Sequence, residues 1–381
     1  MSRTWAEIDL DAVKHNLDLA RTEVGAGADV LCTVKADAYG HGAIEVSRCV
    51  MAHGARMLGV SCADEAAELR SSGILGDILI LGALDEAEVK SVVEHGIIPT
   101  VSPPEILDSL VLEAKRRDTI CPVHVMVDTG MSRAGVPPVE ALDLARRIVR
   151  SDCLELAGVA THFACADDED QDVTLTQLQE FLSFVERLGS SCPEPLIIHA
   201  ANSSATFCVP KSHFQMVRLG IGLYGMSANP AVRRNVNLKP VLSLKARVLY
   251  LRRVPCGTPV GYDSTFRTER ESLIATLGIG YEDGLPTTAS NRAKVIVKGR
   301  LAPIVGRVSM DYTTIDVTDI PNVSLGDEAV VLGTQGDVHL SAEDLALCCN
   351  RIPYEVTCAL GRRVKRVFLN GNAGENRNAY Q

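Results

Sequence analysis

Over the first two-thirds of the chain, short uninterrupted apolar runs alternate with segments whose apolar residues recur at helical spacing. The runs are Val30–Val34, Met57–Val60, Asp77–Leu81, Ile97–Val101, Val123–Val127, Leu156–Ala160, Leu196–Ile198 and Met216–Ile221, eight in all. Short runs without polar alternation predict strands covered on both faces, and the periodic segments between them predict helices. Two of those helices carry end signals. Ser102-Pro103-Pro104-Glu105 reads as a capping box with proline at the helix start, followed by a face of Ile106, Leu107, Leu110, Val111 and Ala114. Val173 to Leu188 repeats Leu175, Leu178, Phe181, Phe184, Val185 and Leu188, then stops at Gly189. Eight strand–helix units in succession predict a (β/α)8, TIM-type barrel. A doubly wound open sheet is the alternative; the regular count and the lack of Gly-x-Gly-x-x-Gly after the first strand weigh against it.

Past roughly Leu238 the texture changes to shorter, alternating runs at Leu244–Leu251, Ser272–Leu277, Lys294–Val297, Ile304–Val308, Thr313–Val317, Ala329–Leu332 and Val364–Leu369. Gly278, Lys298-Gly299, Gly326-Asp327 and Gly333 to Gly336 punctuate them, and one helical stretch, Ser341 to Cys349, carries Ser341 and Asp344 as its cap. The pattern predicts a second, mostly-β domain, a small barrel or sandwich. The division is therefore a barrel over residues 1–237 and a β domain over 238–381, with about the first ten residues free to pack with the second domain.

Composition narrows the function. The 381 residues are 46% hydrophobic and 23% charged with a net charge of −10, and no basic run exceeds Arg-Arg plus a neighbour, which argues against nucleic acid and anionic membranes as partners. No apolar run is long enough to span a bilayer, and the N-terminus has neither a signal-type apolar core nor a cleavage site, so a cytoplasmic protein is expected. The 12 cysteines are scattered without a Cys-x-x-Cys pair and the nine histidines are dispersed, so neither disulfides nor a metal is expected.

In a (β/α)8 barrel, chemistry gathers where the strands end. Those ends here are Lys35, with Tyr39 four residues on, Arg133, His162, Asn202-Ser203 and Arg218. Singly, each has a structural reading: a surface lysine, salt-bridge arginines, a satisfied core histidine, a helix N-cap. Together they form a rim with two arginines and a lysine, suited to a ligand with several acidic groups. Gly220-Ile221-Gly222 lets backbone amides approach a phosphate, and Ser203 opens a helix, where phosphate also binds. A lysine at the end of a buried strand must be paired, lose its proton, or react, and a depressed pKa suits it to imine chemistry.

Val34-Lys35-Ala36-Asp37-Ala38-Tyr39-Gly40-His41-Gly42 closely resembles the pyridoxal-phosphate signature of alanine racemases. The resemblance continues, in the family's order, through Asp128-Thr129-Gly130-Met131-Ser132-Arg133, Thr161-His162-Phe163, Ala201-Asn202-Ser203, Met216 to Ile221, Gly261-Tyr262, Val308-Ser309-Met310-Asp311 and Tyr354-Glu355-Val356. It implies an amino-acid racemase that binds pyridoxal 5'-phosphate on Lys35 through an imine, with Lys35 and Tyr262 as two acid/base groups on opposite faces of the substrate α-carbon. By the same resemblance, Tyr39, Asn202, Ser203, the backbone of Gly220 and Ile221, and Tyr354 would hold the cofactor. Arg133 and the Met310 backbone would face the substrate carboxylate, with Asp311, Tyr281 and Asp167 in support. His162 would hydrogen-bond Tyr262, and Arg218 would bond His162 while lying against the pyridine nitrogen. An arginine keeps its protons, so it would leave that nitrogen unprotonated, a setting expected to suppress transamination and decarboxylation. Tyr262 and Met310 would come from the partner subunit, implying a homodimer with shared sites.

Two departures bear on the substrate. Met126 stands where the family typically has a carbamylated lysine supporting the carboxylate-binding arginine, and Leu285-Pro286-Thr287 replaces an entryway Tyr-Pro-Arg. L- and D-alanine are the expected substrates, with serine or a broader set of small amino acids as the alternative. A pyridoxal-phosphate decarboxylase of related fold is a further rival.

Overall fold

The computed structural model describes residues 2–371 apart from residues 103, 190–194, 228, 230, 231, 233 and 234. The first strand, β1 (Thr4–Asp9), is followed by β2 (Asp29–Thr33), β3 (Met57–Val60), β4 (Ile78–Ile80), β5 (Ile98–Val101), β6 (Cys121–Met126), β7 (Leu154–Ala160), β8 (Ile197–His199) and β9 (Met216–Leu219). Strands β2 to β9 pair in parallel in the spatial order β8-β7-β6-β5-β4-β3-β2-β9. The remaining gap, between β8 and β9, is bridged by Gln215 N to Ile198 O at 3.1 Å and Arg218 N to Ala201 O at 2.9 Å. All eight predicted runs are barrel strands, and the adjacency of the first to the last excludes the open sheet. Leu31, Met57, Leu79, Ile98 and Met216, from five different strands, form one apolar layer inside the barrel.

The helix ends are a mixed outcome. The helix Asp172–Leu188 stops at Gly189, whose φ of 50° only glycine adopts freely. Leu175 of its predicted face is 46% exposed. Gln177 turns inward instead, accepting from Ala164 N at 2.9 Å and donating to His162 O at 3.1 Å. The capping box at Ser102–Glu105 includes residue 103, which lies outside the described residues. The helix that follows, Ile106–Arg116, has no side-chain cap, and the Ser102 hydroxyl accepts from Gly135 N at 3.1 Å.

The second sheet comprises β10 (Leu242–Val254), β13 (Ser272–Leu277), β14 (Lys294–Val297), β15 (Arg300–Pro303), β16 (Thr313–Asp316), β17 (Glu328–Gln335), β18 (Val338–Leu340) and β19 (Lys365–Leu369), while β11 (Pro259–Val260) and β12 (Phe266–Arg267) form a separate ribbon. Its main path is β15-β14-β17-β10-β1-β19, so β1 lies between β10 and β19 and the chain starts in the second sheet before entering the barrel. The run Ile304–Val308 is not a strand. It keeps one bridge, Ile304 to Ile315, because Gly306 turns at φ 80° with no room for a Cβ beside Val260 O, 2.7 Å away. The cap of Ala342–Cys349 is as expected: Ser341 N donates to Asp344 Oδ2 and Asp344 N to Ser341 Oγ, each 3.0 Å.

Candidate active site

Strand β2 delivers Lys35 into a turn whose hand the sequence does not announce. Ala36, Asp37, Ala38 and Tyr39 have φ of 52°, 52°, 54° and 55°, a left-handed helical turn without glycine. Such residues each cost about 1–2 kcal/mol, so the surroundings must impose the conformation. Glu65 Oε1 accepts from Ala36 N at 2.7 Å, Asp37 O from Gly42 N at 2.9 Å and Asp37 Oδ1 from Ala43 N at 2.8 Å. His41 Nδ1 lies 2.9 Å from Ala38 O and 3.0 Å from Tyr39 O; both partners only accept, so this nitrogen carries the proton. Lys35 is largely withdrawn from water. That burial, then the charge of Arg133 and more weakly that of Arg218, holds its pKa below the ordinary lysine value.

Arg218, on β9, is 4% exposed and bonds in three directions. Nη2 donates to Thr161 O and Ala200 O, both at 2.9 Å, and to His162 Nδ1 at 3.1 Å; Nη1 donates to His199 Nδ1 at 2.8 Å. Because a guanidinium only donates, it settles the tautomers around it. His162 and His199 accept at Nδ1 and carry their protons on Nε2. His199 then donates to His124 Nδ1 at 2.8 Å, which puts the His124 proton on Nε2 as well. Burial, then Arg218, pushes the His124 and His162 pKa values down to about 3, and burial, then Arg133, brings Arg218 down to about 10, still charged at neutral pH. His124 and His199 escaped the sequence reading: each is a lone histidine in an apolar strand, and no local signal brings residues 75 apart together.

Beside this network three hydroxyls gather. Ser203 Oγ accepts from Gly220 N at 2.8 Å and Gly222 N at 3.2 Å, leaving its own hydrogen free to donate. A Cβ added at Gly220 would lie 2.8 Å from Tyr39 Oη and would have to displace that phenol. The Tyr39 and Tyr354 rings are 5.9 Å apart, and burial, then the Asp167 carboxylate, raises the Tyr354 phenol to about 12. Asn202 acts as the cap of the helix Ser203–Cys208, its Oδ1 accepting from Ala205 N at 3.0 Å, and Ile221 is buried under the Gly220 turn.

Other expected residues lie elsewhere in the single chain. Tyr262 is 71% exposed, and among the described residues no hydrogen bond joins it to His162 or Lys35. Met310 and Tyr281, 51% and 42% exposed, lie on the second domain, where Arg363 donates to Met310 O at 3.2 Å and to Asp311 Oδ1 at 2.8 Å. Arg133 is exposed at the rim, near enough to act on Lys35, His162 and Arg218, and has no ion-pair partner among the described residues. Met126, two residues before the motif aspartate, is buried and supplies it no charge.

Two predictions follow from the buried histidines. Burial holds His41 at about 4 and His124 at about 3, with His199 well below 6.5. Unfolded, each titrates near 6.5, as does His162, itself held at about 3, so near pH 5 these four rings take up about four protons on unfolding and contribute a loss of about 5 kcal/mol of stability per pH unit of acidification. Urea unfolding is expected to show stability falling from pH 7 to pH 5; a flat profile means the rings are charged in the fold. The second concerns Gly158, where a Cβ would meet the His124 ring and Ile197 O, the latter at 2.7 Å. Gly158→Ala is expected to cost about 1–3 kcal/mol, measured by the same unfolding; no loss of stability would mean the ring has room to move.

The N-terminal part of the chain, residues 8–228, matches the alanine racemase N-terminal domain, and residues 241–368 match the alanine racemase C-terminal domain. The chain is 40% identical over 371 residues to the alanine racemase of Halothermothrix orenii, covering 97% of this chain and 98% of that protein. The alanine racemase of the D-cycloserine producer Streptomyces lavendulae superposes with a TM-score of 0.92 at 33% identity, covering 97% of this chain and 98% of that one. The Bartonella henselae alanine racemase with covalently bound pyridoxal phosphate superposes with a TM-score of 0.87 at 30% identity, covering 97% and 100%. Barrel, β domain and full-length likeness agree, and the chain belongs to the alanine racemase family.

Proposed function

We propose that this protein interconverts L- and D-alanine with pyridoxal 5'-phosphate, using Lys35 of one subunit and Tyr262 of a second copy as the two bases. The observation that carries the reading is a withdrawn lysine amine of lowered pKa beside a buried, donor-only arginine. The donor set suits the cofactor: Ser203, Tyr39 and Tyr354 hydroxyls with the Ile221 amide for its phosphate, the Gly220 amide holding Ser203 Oγ in place, Arg218 for its ring nitrogen, and Lys35 for the covalent bond. When bound, the cofactor supplies a conjugated ring that weakens the substrate's α C–H bond.

The protein's part is proton handling. Racemisation needs a proton removed from one face of the α-carbon and one returned to the other, which two groups on opposite sides achieve. With its amine uncharged more easily than a free lysine's, Lys35 can accept a proton from one side. A phenol is a weak base unless its anion is favoured. His162, locked with Nε2–H outward by Arg218, can donate to a phenolate from a docked subunit. The exposure of Tyr262, Tyr281, Met310 and Tyr312 on one chain is what shared sites would require. Arg133 supplies charge for the substrate carboxylate.

Borohydride reduction of the protein with pyridoxal phosphate, followed by peptide mapping, is expected to place the label on Lys35. A label elsewhere, or none, overturns the proposal.

A further inference from the structure

Arg366, on β19, is 7% exposed, yet its guanidinium reaches out of its own domain. Nη1 donates to Gly361 O and Val364 O at 2.8 Å each, Nη2 to Leu360 O at 3.1 Å, and Nε to Gly40 O at 3.1 Å. Asp37 Oδ2 lies 3.9 Å from Nη2. Leu360, Gly361 and Val364 belong to the stretch leading into β19. Gly40 and Asp37, in contrast, belong to the left-handed turn after Lys35, 326 residues from Arg366 in the case of Gly40.

That turn needs outside support. His41 bonds the Ala38 and Tyr39 carbonyls, but it sits on the turn itself and moves with it. Glu65 holds the start of the turn through Ala36 N, and Arg366 holds its end through Gly40 O and the Asp37 carboxylate. Between them are the four positive-φ residues, with Lys35 just before and Tyr39 last. A lysine could not replace this arginine, because a single ammonium cannot span carbonyls on two elements as a planar five-donor fork does.

We infer that Arg366 is a positioning residue through which the second domain holds the Asp37–Gly40 end of the turn and so sets where the Lys35 amine and Tyr39 phenol are presented. Its significance for the reaction rests on the reading of Lys35 and Tyr39 as working groups; the exchange measurement below does not.

The test compares full-length Arg366→Lys with the parent by hydrogen–deuterium exchange, with and without pyridoxal phosphate. The amides of Ala38, Gly40, His41 and Gly42 all donate within the turn in the parent. They are expected to exchange about tenfold faster or more in the variant, as loss of a charge-assisted bond implies, and the dissociation constant for pyridoxal phosphate is expected to rise by about the same factor. A residue that merely closes the Leu360–Val364 stretch predicts faster exchange there alone, with residues 38–42 and cofactor affinity unchanged, and that result overturns the inference. If Arg366→Lys does not fold, Asp37→Asn keeps an acceptor for Ala43 N and removes the charge facing Arg366. Faster exchange at residues 38–42 then supports the inference, and parental exchange overturns it. Loss of the racemase reading with faster exchange retained would leave Arg366 holding the turn for another chemistry at Lys35.

Discussion

Alanine in place of Lys35 is expected to reduce interconversion of the alanine enantiomers by about 10⁴-fold or more in both directions, since one substitution removes both the covalent anchor and one of the two bases. The fold should scarcely register the change. The Lys35 side chain makes no hydrogen bond among the described residues, and its ammonium is disfavoured by burial and by Arg133, so the melting temperature is expected to stay level or rise slightly. Polarimetry gives the rate and circular dichroism the melting curve. A variant that keeps a hundredth or more of the parent rate would remove Lys35 from the chemistry; one that loses its melting transition would make the lysine structural.

Tyr262→Phe is expected to lower net racemisation by about 10²–10⁴-fold while leaving α-proton exchange of one enantiomer nearly intact. The equilibrium constant between mirror-image substrates is unity, so the two net directions must fall together. Exchange with solvent need not: Lys35 can still remove and return a proton on its own face. Deuterium uptake measured separately for L- and D-alanine exposes the asymmetry, and equal losses would count against a face-specific base. A side chain that is 71% exposed in one chain leaves folding undisturbed. Mixing this variant with Lys35→Ala tests the shared site directly. A mixed dimer rebuilds one site of two, so with random exchange about a quarter of parental activity should return. No recovery after demonstrated subunit exchange would place Tyr262 and Lys35 in sites that are not shared.

The substrate departures take a definite shape in the structure. Met126 fills its position with buried apolar volume, and Arg133 stands at the rim without an anion from the described residues. The chain's membership of the alanine racemase family removes the decarboxylase rival, and the full-length likeness to proteins named for alanine favours that substrate.

The barrel was legible because strands covered on both faces must be apolar throughout, a pattern that survives in the order of residues. The Ser341–Asp344 cap was legible because its partners are three residues apart. Lys35, Tyr39, His162, Ser203 and Arg218 could be found at strand ends because the barrel itself gathers those ends on one rim. Ile304–Val308 misled because an apolar alternation does not reveal that Gly306 must turn beneath Val260. At Ser102 a distant amide, that of Gly135, donates to the hydroxyl, a partner no local spacing announces. What only the tertiary structure decided has one common cause, contacts between residues far apart in the chain. The left-handed turn contains no glycine, and its two ends are bonded by Glu65 and Arg366, both distant in the chain. The tautomers of three histidines follow from one arginine that can only donate. The amino-acid order thus determined which residues would line the rim, whereas long-range hydrogen bonds decided their hand, their protons and how Lys35 is presented.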